Sequence, residues 1–193
     1  MAETFGVSQP TISRAITALT PVLGKILHDH ISTADDLDEQ ARHIVDGTLP
    51  PCWSWASRPG LYSTRHRRTG VNVQVASTLD GRLAWVSDPI DGRHHDTHRI
   101  RQSGILEDRD TTTRLADKGY IGSDMITPFR KREQPQWQKD FNFHHNKTRV
   151  AVERTIAHLT TWRILHTDYR RPPHTFPTTI TTVISLYFYA RSE

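Results

Sequence analysis

The chain has 193 residues, 35% of them hydrophobic, and a net charge of only +4, which is room for one modest core and a small appendage. A single cysteine, Cys52, excludes an internal disulfide and a cysteine-based zinc site. The apolar run at residues 183–190 is too short to span a membrane, and no leader-like segment opens the chain, so the expected location is the cytoplasm.

Twenty of the 25 basic residues are Arg. The planar guanidinium fork matches phosphate geometry, so this balance leans toward a polyanionic partner.

Residues 1–20 form the first unit. A short helix is expected over residues 1–5, with Gly6 as its stop and Ser8 as the next N-cap. Ile12, Ala15, Ile16 and Leu19 then recur at helical spacing. Helix, glycine turn and second helix has the shape of a helix-turn-helix, and a plain helical hairpin is the alternative. Gln9, Ser13 and Arg14 lie off the apolar stripe, where groove-facing residues would stand. Residues 21–42 read as a helix and an acidic connector containing Asp35, Asp36, Asp38 and Glu39.

From residue 43 the character changes. Residues 43–46 are a short strand ending at Asp46-Gly47. Residues 70–78 alternate Val71, Val73 and Val75 with Asn72 and Gln74, then Asp80-Gly81 turns the chain into a returning strand at 82–87. A helix is expected over 96–106, capped by Asp96. Strands follow at 114–116 and 125–129, then a long helix from Gln136 to about Trp162. Pro172, Pro173 and Pro177 interrupt the chain before a last helix carrying Ile180, Val183, Ile184, Tyr187 and Phe188. This order fits an α/β architecture, a central mixed sheet flanked by helices.

Three carboxylates occupy informative places. Asp46 and Asp117 each end a strand, and Glu153 lies on the long helix. Residues just beyond strand ends are where sites in such sheets are built. Three carboxylates brought together repel one another unless a cation neutralises them, and an oxygen-rich set suits Mg²⁺ or Mn²⁺. Two such ions can activate an attacking hydroxyl and stabilise the leaving oxygen of a phosphodiester. Asp96 reads as a helix cap near this site, with a supporting role in it as the alternative. The run Arg65-His66-Arg67-Arg68 reads either as solvated surface or as phosphate contacts. Trp53 and Trp55 read as loop packing or as base-stacking surfaces. Arg149, one helical turn before Glu153, orients that carboxylate or reaches DNA.

Taken in order, five segments resemble the DDE transposases of bacterial insertion sequences, in the group that shares its domain with Harbinger-type nucleases. They are Ile44-Val45-Asp46-Gly47-Thr48, Gly70 through Val75, Asp91-Gly92-Arg93-His94-His95-Asp96, Ala116-Asp117-Lys118-Gly119-Tyr120, and Asn146 through Arg154. Thirty-five residues separate Asp117 from Glu153. Asn146 and Thr160 depart from the pattern, which commonly has Tyr and Lys at those positions.

The resemblance implies a ribonuclease-H-like catalytic domain over 43–170, with residues 171–193 packing on it. It implies Asp46, Asp117 and Glu153 as catalytic ligands of Mg²⁺ or Mn²⁺, two ions in all, and a truncated helix-turn-helix over 1–20 that recognises element ends. Expected DNA contacts are Gln9, Ser13, Arg14, Arg65, Arg67, Arg68, Lys118 and Arg149. The implied function is metal-dependent cleavage and strand transfer at insertion-sequence ends, by a homodimer on double-stranded DNA. The alternatives are a truncated DNA-binding regulator and a stand-alone metal-dependent nuclease.

Overall fold

The computed structural model describes residues 2–54, 57–107, 109–130 and 132–191, so Met1 of the expected first helix and Trp55 lie outside the described residues. The chain divides into two compact units, one of Met1–Ile31 with Arg171–Glu193 and one of Ser32–Arg170.

In the first unit, residues 2–6 form turns rather than a helix, with Gly6 at φ +61°. Helix α1 (Gln9–Ile26) follows. Ser8 caps it, its side chain accepting from Thr11 N at 3.4 Å. The helix runs without a break across residue 20, where a division was expected, and carries Pro21 inside it. Its partner is the last helix of the chain, α5 (Phe176–Tyr189), which numbers fifth in chain order. Contact is made through small groups: Thr182 donates to the Thr20 carbonyl at 3.0 Å, and a Cβ on Gly24 would come within 2.5 Å of the Thr182 hydroxyl. Close approach at Gly24 leaves the expected apolar stripe uncovered, with Ile16 44% and Leu19 56% exposed. The 171–193 segment is thus grouped with the N-terminal helix and not with the sheet.

The second unit is built on a mixed sheet. Its strands are β1 (His43–Thr48), β4 (Val71–Thr78), β5 (Leu83–Val86), β6 (Ile90–Asp91) and β7 (Arg114–Ala116). A separate ribbon pairs β2 (Tyr62–Ser63) with β3 (Arg68–Thr69). The sheet order is β5-β4-β1-β7, with β6 also on β4. β1 is antiparallel to β4 and parallel to β7. The expected hairpin is β4–β5, turned by Gly81 at φ +86°, a left-handed conformation that glycine adopts without steric penalty.

Helix α2 (Asp96–Gln102) supplies Ile100 to a core with Val45, Ala76, Trp85, Ala116 and Tyr120. Successive strand residues point to opposite faces, so Val45 faces α2 and its neighbour Asp46 faces the other side. There α3 (Gln136–Leu159) packs on β1, β4 and β7, with Val152, Thr155 and Leu159 buried. Both sheet faces are therefore covered, and Asn72 and Gln74 are as buried as Val71, Val73 and Val75, which alternate with them. A short α4 (Arg163–His166) follows.

Three further expectations differ from the structure. Asp46 does not end its strand, because β1 stays paired with β4 as far as Thr48. Helix α2 ends at Gln102, short of Leu106, because Gly104 turns out of the helix at φ +74°. Residues 125–129 are not a strand. Ile126 alone bridges Leu115, with Ala116 N donating to Ile126 O at 2.9 Å and Ile126 N donating to Arg114 O at 2.8 Å. Pro128 lacks the donor that would extend the ladder.

Candidate active site

The parallel register pairs Val45 with Ala116, so Asp46, inside β1, stands beside Asp117, the first residue after β7. Neighbouring strands lie about 4.8 Å apart, which sets these aspartates side by side where β7 ends. After Asp117 the chain turns sharply: its side chain accepts from Gly119 N at 2.6 Å and caps the turn Lys118–Tyr120.

Each aspartate faces an arginine. Arg149 on α3 donates to Asp46 Oδ2 at 2.7 Å, with both side chains largely buried. Arg65, in the turn between β2 and β3, reaches Asp117 Oδ2 at 3.1 Å and also pairs with Asp96. Asp96 in turn contacts the buried Arg99 at 3.3 Å. Burial holds the Arg99 guanidinium down to about 10. Burial also pushes the Asp46 carboxyl above its ordinary value. Arg149 opposes that shift, the Gly47 N–H donating at 2.8 Å opposes it too, and the charge of Asp117 reinforces it.

Asp96 is a correction to the sequence reading. The residue at the N-cap is His95, with no side-chain cap bond, and Asp96 is the first helical residue. Its side chain points into the arginine–carboxylate cluster, because pairing with Arg65 and Arg99 offers a buried carboxylate two charge-assisted partners.

Gly119 lies inside this cluster. A Cβ there would stand 2.8 Å from Asp117 Oδ1 and 3.0 Å from both Arg65 Nη1 and Asp96 Oδ2. Any side chain would part the groups that meet over it. Beneath the strand ends runs a buried polar chain. Tyr120 donates to Gln74 Oε1 at 2.6 Å, and Gln74 Nε2 donates to Asn72 Oδ1 at 2.5 Å. Burial, and then the charges of Asp46 and Asp117, push the Tyr120 phenol well above its usual range, so it serves as a neutral donor.

Helix α3 is fastened over the acidic edge by side chains that the sequence reading did not single out. His145, buried, contacts the Ala116 carbonyl at 2.9 Å through Nε2, immediately before Asp117. Burial lowers its pKa, so the ring is neutral and Nε2 carries the donated proton. Asn142 Oδ1 accepts from Phe129 N at 2.9 Å. The available signal was a polar series, Asn142, His145 and Arg149, at i, i+3 and i+7 within a helix whose apolar residues are sparse.

Glu153 is one turn beyond Arg149 on α3 and is exposed. Among the described residues, no three His, Cys, Asp or Glu side chains are grouped to hold a metal ion. Asp46 and Asp117 are thus brought together, and Glu153 stands on the adjoining flank of the helix. Lys118 is exposed beside Asp117. Arg68 pairs with Asp168 at 2.9 Å, and Arg67 takes the turn at φ +50°. Gln9, Ser13 and Arg14 are exposed on α1 in the other unit. Trp53 is half exposed and carries the Arg170 guanidinium 4.8 Å over its ring.

The donor chemistry fits a divalent cation. Two register-matched carboxylates, one of them buried against its ionisation, lie where guanidinium charge now offsets them. Sheet and site together define a class: α/β proteins with an acidic centre at the edge of a mixed sheet.

Comparison with known proteins narrows that class. The family described as DDE superfamily endonuclease matches residues 45–187. A Streptomyces albus G protein named as a transposase for insertion sequence element IS112 is 30% identical, over 86% of this chain and 63% of its own length. No solved structure matches. The chain belongs to the DDE superfamily endonuclease family, and it spans 63% of the length of that relative. Among the described residues, no helix is long and apolar enough to cross a membrane.

Proposed function

We propose that this chain carries the catalytic centre of a transposase and cleaves DNA strands at insertion-sequence ends with a divalent metal, Mg²⁺ or Mn²⁺. The observation that carries this reading is the β1–β7 register, which sets Asp46 in β1 beside Asp117, the residue that follows β7. Membership of the endonuclease family and the name of the Streptomyces relative support the substrate class. The mixed sheet with α3 across it supports a ribonuclease-H-like domain.

Asp46 and Asp117 would hold metal, with Glu153 as the third carboxylate. Bound there, a pair of divalent ions supplies activation of water or a sugar hydroxyl and stabilisation of the leaving oxygen. The protein's own part is electrostatic and positional. Arg149 and Arg65 offset the charge of Asp46 and Asp117, and both are placed to turn toward phosphate oxygens once a cation takes over that task. Arg149 Nε is buried and has no hydrogen-bond partner among the described residues, a donor left for such an oxygen. Tyr120 and Gln74 brace the strand end from below. Lys118, Arg67 and Arg68 extend the phosphate-binding surface. Gln9, Ser13 and Arg14, on α1 after its N-terminal turn, are the residues of a reduced helix-turn-helix that reads the element end, and two copies meet on DNA. The freed 3′-hydroxyl then attacks target DNA.

A second reading, a DNA-binding regulator without nuclease activity, is favoured by the separation of Glu153 from the aspartate pair. Incubation of a labelled element-end duplex with Mg²⁺ or Mn²⁺ decides between them. Cleavage by the wild type that is lost by at least about 100-fold, roughly 2.7 kcal/mol in barrier, in Asp46→Asn, Asp117→Asn and Glu153→Gln supports the transposase. Tight binding without any cleavage supports the regulator.

A further inference from the structure

The tip of the β4–β5 hairpin and one flank of α3 enclose a groove of about 740 Å³, lined by Asp80, Gly81, Lys147, Ala151, Arg154 and His158 among others. Its floor is fixed. The buried Thr155 hydroxyl donates to the Gly81 carbonyl at 2.8 Å, locking hairpin to helix. Lys147, Ala151, Arg154 and His158 recur at i, i+4, i+7 and i+11, which lines them up on one side of the helix. Lys147 and Arg154 enter no ion pair among the described residues. The one carboxylate of the groove, Asp80, is already engaged by Thr78 and by Arg82 at 2.9 Å. The groove therefore presents two unneutralised cations on a rigid frame.

This flank is not the one that serves the aspartates. Lys147 and Arg149 are two residues apart, as are Ala151 and Glu153, and at 100° per residue that places the pairs roughly 200° apart around the helix. We propose that the groove is a second DNA-contact surface, seating the phosphate backbone of duplex outside the strand held at Asp46 and Asp117. Lys147 and Arg154 lie about 10 Å apart along the helix axis at 1.5 Å per residue, so their long side chains meet different phosphates of one strand. Phosphate contacts of this kind position a duplex without reading its sequence. The proposal rests on the nuclease reading, whose own test is the metal-dependent cleavage assay above.

The experiment is fluorescence anisotropy with a labelled duplex of arbitrary sequence, titrated across a salt series in chelator. The variants are Lys147→Gln/Arg154→Gln and the charge-reversed Lys147→Glu/Arg154→Glu, beside the wild type. Each neutralised phosphate contributes about −0.9 to the slope of log K against log salt. The expected result is a slope shallower by roughly 1.8 in the Gln pair, with affinity at least about tenfold weaker and Mn²⁺ binding unchanged. The Glu pair should weaken further. Wild-type affinity and slope in both variants would overturn the groove while leaving the nuclease reading intact. Absence of any salt-dependent duplex binding by the wild type would overturn both.

Discussion

At the scale of single residues, the centre is governed by how few neighbours offset its carboxylates. The Asp46 carboxyl is raised above 3.8, first by burial, so the folded chain binds its proton more tightly than the unfolded chain does. A raised carboxyl leaves stability intact below 3.8 and loses it as pH climbs through the folded value. At neutral pH the ionised side chain therefore costs stability. In chelator, Asp46→Asn should melt higher than wild type at pH 7, on the order of 2 °C, and the advantage should vanish below pH 3.8. A lower melting point for the variant at pH 7 would contradict the account. Arg149→Ala should do the reverse in chelator, costing about 1.5–3 kcal/mol through the lost charge-assisted bond, and its melting point should respond more strongly to added Mn²⁺. An unchanged Mn²⁺ response would show that Arg149 does not stand in for a cation. The aspartates were legible in the sequence because each closes a short apolar run. Arg65 and Asp96 were not legible as a pair, since the contact joins residues 31 positions apart, and Asp before a helical pattern ordinarily reads as a cap.

At the scale of elements, α3 is the part that converts a sheet edge into a site. His145, Arg149 and Thr155 each bond the sheet unit, at the Ala116 carbonyl, the Asp46 carboxylate and the hairpin tip. Thr155→Val removes the last of these while keeping shape, and should cost about 1 kcal/mol in denaturant unfolding. Gly81→Ala forces a side chain into left-handed backbone and should cost about 1–2 kcal/mol. Loss of less than a few tenths in both would mean that the hairpin is not held by the helix. The hairpin and long helix were readable from alternation, Asp80-Gly81 and helical spacing. The segment 125–129 misled because a short apolar run carries no record of whether a partner strand continues past Pro128. The N-terminal segment misled for a related reason: the apolar stripe of α1 signals a helix, but the small residues Thr20 and Gly24 decide which face α5 meets.

At the scale of the whole molecule, the order of motifs carried more than any one of them, and family membership follows that order over most of the chain. What the order could not convey is the state of the third carboxylate, because the direction of a side chain on an exposed helix flank depends on what binds beside it. The central claim is that Asp46 and Asp117 belong to one divalent-metal site that Glu153 completes. It is tested most directly by titrating the wild type and the variants Asp46→Asn, Asp117→Asn and Glu153→Gln with Mn²⁺ and reading free ion by electron paramagnetic resonance. The account predicts saturable Mn²⁺ binding by the wild type, weakened at least about tenfold in each aspartate variant, or 1.4 kcal/mol, and weakened also in Glu153→Gln. Wild-type affinity in Asp46→Asn and Asp117→Asn would contradict it.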